Sequence, residues 1–373
     1  MLGNYIVAFV LGILSAYVIT PYVIRLAKKM GAIDSPEEKR KIHTKPTARM
    51  GGLAIVLSFI FTFIYLIISM YGEKYINISF IKLYKKEFLG IGASIILILI
   101  MGILDDTKGL NAFIKLGIQS LVAIITILCN IKIQNVNVFG DAINFNIALT
   151  YLITFAWIIV VMNAINLIDG IDCLSTGIVA IALVSLLVIF KINASPIIAT
   201  MLAVSLLGSI LGYMPYNKTP AKTFVGDTGT NFLGYMLAII SIMGVAKTYT
   251  LGIIIAPLVS LILPIFDTAF AILRRIFKNK SIKAVFKADR GHLHHRLLDK
   301  GLSQREVVAI LYLITAVAGL LAVLILEGNI YKIISFLVMI ALLSILGMGD
   351  IIDKKALESS KLEKEEKQKD EVK

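Results

Sequence analysis

The feature that most constrains this chain is a succession of apolar runs, each about twenty residues long, separated by short segments that hold nearly all the charge. A run of roughly 17–25 apolar residues is the length an α-helix needs to cross a bilayer. On that criterion the sequence predicts spans at 5–24, 51–70, 88–104, 113–130, 148–165, 174–190, 196–213, 230–246, 250–272, 307–326 and 330–349. The expected fold is therefore all-α, a polytopic integral membrane protein of about eleven transmembrane helices. A water-soluble fold is excluded, because 58% hydrophobic residues, 16% charged residues and a mean hydropathy of +0.88 leave more apolar surface than one could bury. Irregular backbone cannot face lipid, so the polar connections must lie at the surfaces or line a cavity within the protein.

The net charge of +13 does not point to nucleic acid, since Lys and Arg sit between apolar runs and form no basic domain. They orient the chain instead. Connections 25–49, 105–112, 166–173, 214–229 and 273–306 carry 21 Lys or Arg, and the alternate connections carry seven. The positive-inside rule puts the richer set in the cytosol, the N-terminus outside and the C-terminus in the cytosol. The first run lacks a preceding positive residue and is followed by Arg25, Lys28 and Lys29, so it reads as a span rather than a cleaved signal. Residues 1–349 form the expected membrane domain, and the mixed Lys/Glu tail 350–373 reads as a solvated, disordered extension. Cys129 and Cys173 have neither metal-ligand nor disulfide-framework spacing and read as inert packing residues.

The same parity collects the chemically competent residues on the cytosolic face. His43, His292, His294 and His295 all fall there, as do Asp105, Asp106, Asp169, Asp172 and Asp227 at the ends of spans. Ionisable groups near membrane depth usually mark a pathway or a site. Taken alone, Asp105-Asp106 before Gly109 also reads as an ordinary helix stop. Adjacent helical residues point about 100° apart, so the pair could share one ligand only if the helix ends there. Asn163, Asn166, Asp169 and Asp172 recur at every third position, a row that faces one cavity if the segment is helical. Gly226-Asp227-Thr228-Gly229 runs into a helix; free N–H groups at a helix N-terminus suit phosphate and an adjacent carboxylate suits Mg²⁺, although the same letters also make a capped turn. Finally, Asp289-Arg290-Gly291-His292-Leu293-His294-His295-Arg296 lacks the spacing of a zinc hydrolase helix and reads as an anion-binding block. A transporter would place charges near the midplane and show repeat symmetry between its halves; the sequence has neither.

These four blocks, in this order, resemble the polyprenyl-phosphate N-acetylhexosamine-1-phosphate transferases of glycosyltransferase family 4. Arg49-Met50-Gly51-Gly52 and Pro264-Ile265-Phe266-Asp267-Thr268 match as well, and the likeness covers residues 1 to about 350. The histidine block is similar to the branch that initiates teichoic-acid and O-antigen synthesis rather than to the related phospho-MurNAc-pentapeptide translocase. The resemblance implies a plasma-membrane enzyme with a cytosolic active site, acting on a UDP-N-acetylhexosamine, foremost UDP-GlcNAc, and undecaprenyl phosphate. It implies Mg²⁺, with Mn²⁺ as a substitute, and is compatible with a homodimer. By the same resemblance Asp227 is the main metal ligand, with Asp105 and Asp106 near the metal or the attacking phosphate. The uridine falls to Asn166, Asp172, Asn217 and Phe224, with Asn163 and Asp169 as further substrate-binding residues. His292, His294, His295 and Arg290 are implied at the diphosphate, and Lys45 and Arg49 add charge. One departure is Cys173, where the family usually carries glycine; it adds bulk beside the implied uridine pocket.

Overall fold

The computed structural model describes residues 1–36, 46–138, 141–245, 293–327 and 332–338. It is mostly helical: α1 (Leu2–Met30), α2 (Gly52–Gly72), α3 (Ile78–Leu83), α4 (Lys85–Lys108), α5 (Ala112–Leu128), α6 (Ile147–Ile168), α7 (Leu174–Ile192), α8 (Ile197–Asn217), α9 (Gly226–Val245), α10 (Leu293–Asp299) and α11 (Gln304–Glu327). Two short antiparallel pairs, β1 (Ile33–Asp34) with β2 (Thr47–Ala48) and β3 (Asn135–Val138) with β4 (Asp141–Asn144), add strands that the all-α reading did not contain. Both lie in connections, where the chain must satisfy its own backbone groups.

Among the described residues, seven helices are long and apolar enough to cross a membrane: α1, α2, α4, α6, α7, α8 and α11 up to Ile325. Helix α5 is apolar but only 17 residues long. The expected span 250–272, most of 330–349 and the tail 350–373 lie outside the described residues. The chain divides into two units, Met1–Leu326 and Glu327–Lys373, and of the second only Glu327 and the helical residues 332–338 are described.

Helix α9 is the hub of the first unit and packs on α2, α4, α6, α7 and α8. Phe232, Leu233 and every residue from Tyr235 to Ile240 are fully buried, and a helix apolar all round belongs in the core of a bundle. In lipid there is no hydrophobic force between helices, so close approach through small residues supplies the contact. A Cβ on Gly52 would lie 2.0 Å from Gly229 Cα, one on Gly102 2.3 Å from Thr228 Cα, and one on Gly234 2.6 Å from Met162 Cα. Helices α2, α4 and α6 thus approach α9 nearly backbone to backbone. Asp227, at the start of α9, is consequently fixed at the end of the bundle axis.

Two local expectations are revised. Helix α4 does not stop at 104 but continues through both aspartates to Lys108, ending at Gly109 with φ 71. Helix α6 ends at Ile168, so the three-residue polar row is helical only at Asn163 and Asn166; Asp169 caps the helix, and Asp172 lies in the turn before α7.

Candidate active site

The ends of α4, α6 and α8 and the starts of α2, α5, α7 and α9 meet at one end of the bundle. All of them flank connections that charge parity assigns to a single face. At the centre stands Asp227. Its Oδ1 accepts from Lys115 Nζ at 3.2 Å and from Asn166 Nδ2 at 2.9 Å, and its Oδ2 from Arg49 Nη2 at 3.3 Å. Lys115 Nζ also reaches Asp105 Oδ2 at 2.5 Å, so two carboxylates converge on one ammonium. Asp105 Oδ1 accepts the Leu110 N–H at 2.6 Å, which turns the chain out of α4.

Asp106, one residue on, points elsewhere. Its Oδ1 accepts the Asp227 N–H at 2.9 Å, and its Oδ2 accepts the Thr228 N–H at 3.1 Å and the Thr228 hydroxyl at 2.7 Å. It caps α9 from another helix, satisfying N–H groups that have no partner within α9 and placing negative charge at the positive end of the dipole. Gly226 makes this possible: at φ +71, a Cβ there would lie 2.4 Å from the Arg49 carbonyl and 2.7 Å from Asp106 Oδ2. The adjacent aspartates expected near one ligand therefore divide, Asp105 toward Lys115 and Asp106 toward α9.

Arg49 is brought in by backbone pairing between distant segments. Phe224 N donates to Ala48 O at 2.8 Å, Gly51 N to Phe224 O at 2.9 Å and Gly52 N to Val225 O at 2.8 Å. This stitching sets the guanidinium against Asp227 and within 3.8 Å of Asp106 Oδ1.

Beside this charged cluster lies a second group of loops. Asn217, buried, accepts the Cys173 N–H at 3.0 Å on its Oδ1 and donates from Nδ2 to the Thr223 carbonyl at 3.1 Å; Asp172 Oδ2 accepts the Ala221 N–H at 3.1 Å. Asp169 accepts the Ser175 hydroxyl at 2.5 Å. Burial pushes the Asp169 carboxyl up to about 7, with the Ser175 hydrogen bond opposing it. Cys173 adopts φ 63, ψ −3, a left-handed conformation that glycine adopts without strain, which accounts physically for a family preference for glycine here. Burial pushes its thiol up to about 11, in keeping with an inert side chain.

Of the residues singled out from sequence, Arg49, Asp105, Asp106, Asn166 and Asp227 are together in the charged cluster. Asp172 and Phe224 belong to the adjoining loops, Asn217 ends α8 beside them, and Asp169 lies between α6 and α7. Asn163 faces Gln119, not the cluster, donating to its Oε1 at 2.9 Å. Lys45, Arg290 and His292 lie outside the described residues; His294 and His295 fall on the backbone of α10. Lys115 is the residue that sequence reasoning missed. Its signal was present, because a lysine inside an apolar run is costly unless it serves a site.

The donor set suits a hard divalent cation. Asp105 and Asp227 offer carboxylate oxygens that already share one cationic group, and Mg²⁺ is typically held by one or two carboxylates completed by water and substrate phosphates. Among the described residues no group of three His, Cys, Asp or Glu forms a fuller cage.

Comparison with known proteins gives consistent matches. The family described as Glycosyl transferase family 4 matches residues 88–245, the segment from within α4 to the end of α9. A probable undecaprenyl-phosphate N-acetylglucosaminyl 1-phosphate transferase of Bacillus subtilis is 38% identical over 327 residues, covering 87% of this chain and 86% of the relative. A decaprenyl-phosphate N-acetylglucosaminephosphotransferase of Mycobacterium tuberculosis is 31% identical, covering 80% and 76%. A phospho-N-acetylmuramoyl-pentapeptide-transferase of Staphylococcus epidermidis is 28% identical, covering 84% and 96%.

Proposed function

This chain belongs to glycosyl transferase family 4, and from that membership we propose that it transfers N-acetylglucosamine-1-phosphate from UDP-N-acetylglucosamine to undecaprenyl phosphate, releasing UMP. It is a multi-pass membrane protein. The enzyme works in the plasma membrane with its site on the cytosolic face, and its lipid product starts a cell-envelope glycan. The observation that carries this reading is the convergence of Asp105, Asp227, Lys115 and Arg49 where apolar helices end. A lipid carrier leaves the bilayer only at a cost of about 0.8 kcal/mol per CH₂, so its phosphate has to be met at that level.

In the reaction an oxygen of the lipid phosphate bonds to the β-phosphorus of the UDP-sugar. The bond from that phosphorus to the bridging oxygen breaks, and UMP departs with the electron pair. Both partners are anions, so the site must supply positive charge more than a strong base. Lys115 and Arg49 supply it from the protein. Mg²⁺, held by Asp227 and Asp105, would neutralise charge on the phosphates when bound. Asp106 keeps α9, and with it Asp227, in place. The resemblance gives the nucleotide to Asp172, Phe224 and, at the end of α8, Asn217, and the diphosphate to the histidine block.

Asp105 is bound by two donors, the Lys115 ammonium and the Leu110 N–H. A phosphate monoester with a second pKa of about 6 needs little deprotonation at neutral pH, so these contacts serve to place the carboxylate rather than to ready it for proton removal. Asp105 accordingly positions the nucleophile. Asp105→Asn is expected to lower turnover by about ten- to a hundredfold with an unchanged pH profile; a steep recovery of rate as pH rises would instead establish proton removal.

The overall reading is tested by incubating purified protein with undecaprenyl phosphate, Mg²⁺ and each UDP-sugar in turn while measuring UMP release. UDP-N-acetylglucosamine should be turned over. UMP from the UDP-muramoyl-pentapeptide alone would move the chain to the translocase branch, and none from any sugar, with folded protein, would refute the enzyme.

A further inference from the structure

One helical turn below the charged cluster lies a second polar layer. Gln119 follows Lys115 by four residues on α5, Asn231 follows Asp227 by four on α9, and Asn163 precedes Asn166 by three on α6. Residues at those spacings stack on one helix face, so each of the three site residues has an amide beneath it. Two hydrogen bonds join the amides across the helices, and a third ties the last amide to the backbone of α9. Asn163 Nδ2 donates to Gln119 Oε1 at 2.9 Å, Gln119 Nε2 donates to Asn231 Oδ1 at 2.7 Å, and Asn231 Nδ2 donates to the Asp227 carbonyl at 2.8 Å. Gln119 is 2% exposed and Asn231 0%, so neither is a surface amide that could exchange its partner for water.

Apolar side chains could fill this space, but packing alone tolerates small rotations and slides of one helix on another. A directional hydrogen bond between buried amides does not, and a single buried amide is known to fix helix register. We infer that Gln119, Asn163 and Asn231 are positioning residues, an amide chain that sets the rotation and depth of α5, α6 and α9 and so holds Lys115, Asn166 and Asp227 in mutual contact. The inference rests on the transferase reading for what the contact does, and it gives Asn163 a role through Gln119 in place of direct contact with substrate. Asn231 is engaged twice, by Gln119 at its oxygen and by the Asp227 carbonyl at its nitrogen, so displacement of α5 is passed to the residue after Gly226.

A control for stability lies farther along the same helices. The Thr126 hydroxyl meets Tyr235 Oη at 3.1 Å and Ser94 Oγ at 3.3 Å, a buried cluster joining α5, α9 and α4. It is eleven residues past Lys115, about 16 Å away at the helical rise. Gln119→Met and Thr126→Val therefore each break buried interhelical hydrogen bonds, one directly under the site and one remote from it.

The test measures kcat, KM for UDP-N-acetylglucosamine and Tm for both variants, together with the rise in Tm caused by Mg²⁺ plus UMP, which requires no turnover. Gln119→Met is expected to lower kcat by about ten- to a hundredfold, the scale of an ångström-level misplacement, and to lose at least about half of the ligand-induced rise in Tm. Thr126→Val should keep both within about twofold at a similar Tm. If Gln119→Met does not fold, Asn163→Ala, at a partly exposed position, should show the same pattern more weakly. Parallel losses in both variants, or a Gln119 or Asn163 variant indistinguishable from wild type, would overturn the positioning role and leave the transferase reading intact. Wild-type protein that neither turns over any sugar nor gains Tm from Mg²⁺ plus UMP would overturn both.

Discussion

Asp227→Asn is expected to abolish most activity, lowering turnover by about three orders of magnitude, equivalent to about 4 kcal/mol of transition-state stabilisation. The substitution keeps the shape of the side chain and removes its charge. In the folded protein that charge is shared by Lys115, Arg49 and Asn166, and among the described residues it is the carboxylate in contact with all three. Lys115 and Arg49 retain Asp105 and Asp106 as partners after the change, so no cation is left buried without a counter-charge. Helix α9 also keeps its cap, because Asp106 binds the backbone N–H of residue 227 and not its side chain. Tm should accordingly stay within a few degrees of wild type while kcat collapses. Measuring UMP release across a Mg²⁺ titration, alongside thermal unfolding in detergent, checks both halves. A variant that keeps more than about a tenth of wild-type turnover at limiting Mg²⁺ would remove Asp227 from the centre of the mechanism.

Much of this site was legible before any coordinates, but unevenly and for identifiable reasons. Charge parity alone places the ends of α4, α6 and α8 and the starts of α5, α7 and α9 on one face, and those are the ends that meet. What parity cannot give is which side chain meets which. Arg49 and Asp227 are 178 residues apart, and their contact depends on backbone pairing between Ala48 and Phe224 that has no periodic signal. Lys115 is hidden inside the apolar run 113–130, where a single lysine does not interrupt a span of that length. The helix stop at Gly109 was legible locally, and α4 reaches it four residues beyond the expected end of the span; what local sequence does not carry is that the two aspartates part, Asp105 to Lys115 and Asp106 to the α9 N-terminus. Gly229 was legible only as a turn residue, and its close packing on Gly52 requires knowing that α2 lies against α9. The departure at Cys173 became interpretable only with its φ, which shows the position to be left-handed.

The role of Lys115 leads to a prediction in which activity and metal affinity move in opposite directions. Its ammonium lies 2.5 Å from Asp105 and 3.2 Å from Asp227, where it both screens two like charges and occupies the space a divalent cation would compete for. Lys115→Met keeps the length of the stem and deletes the charge. The two carboxylates then face each other with only the Arg49 contact to Asp227 left, an arrangement that raises their affinity for any cation. Half-saturating Mg²⁺ should therefore fall. Turnover should fall too, by about a hundred- to a thousandfold, because a fixed positive charge that could meet the transferring phosphate has gone. Lys115→Arg should recover only part of it, since a planar fork cannot sit between the same two oxygens as a compact ammonium does. The discriminating measurement is a Mg²⁺ titration of initial rate for the wild type and both variants. If high Mg²⁺ restores Lys115→Met to wild-type turnover, the lysine is only a screen that the metal can replace. Failure to recover at saturating Mg²⁺, with the midpoint shifted to lower concentration, assigns the ammonium to the phosphates themselves.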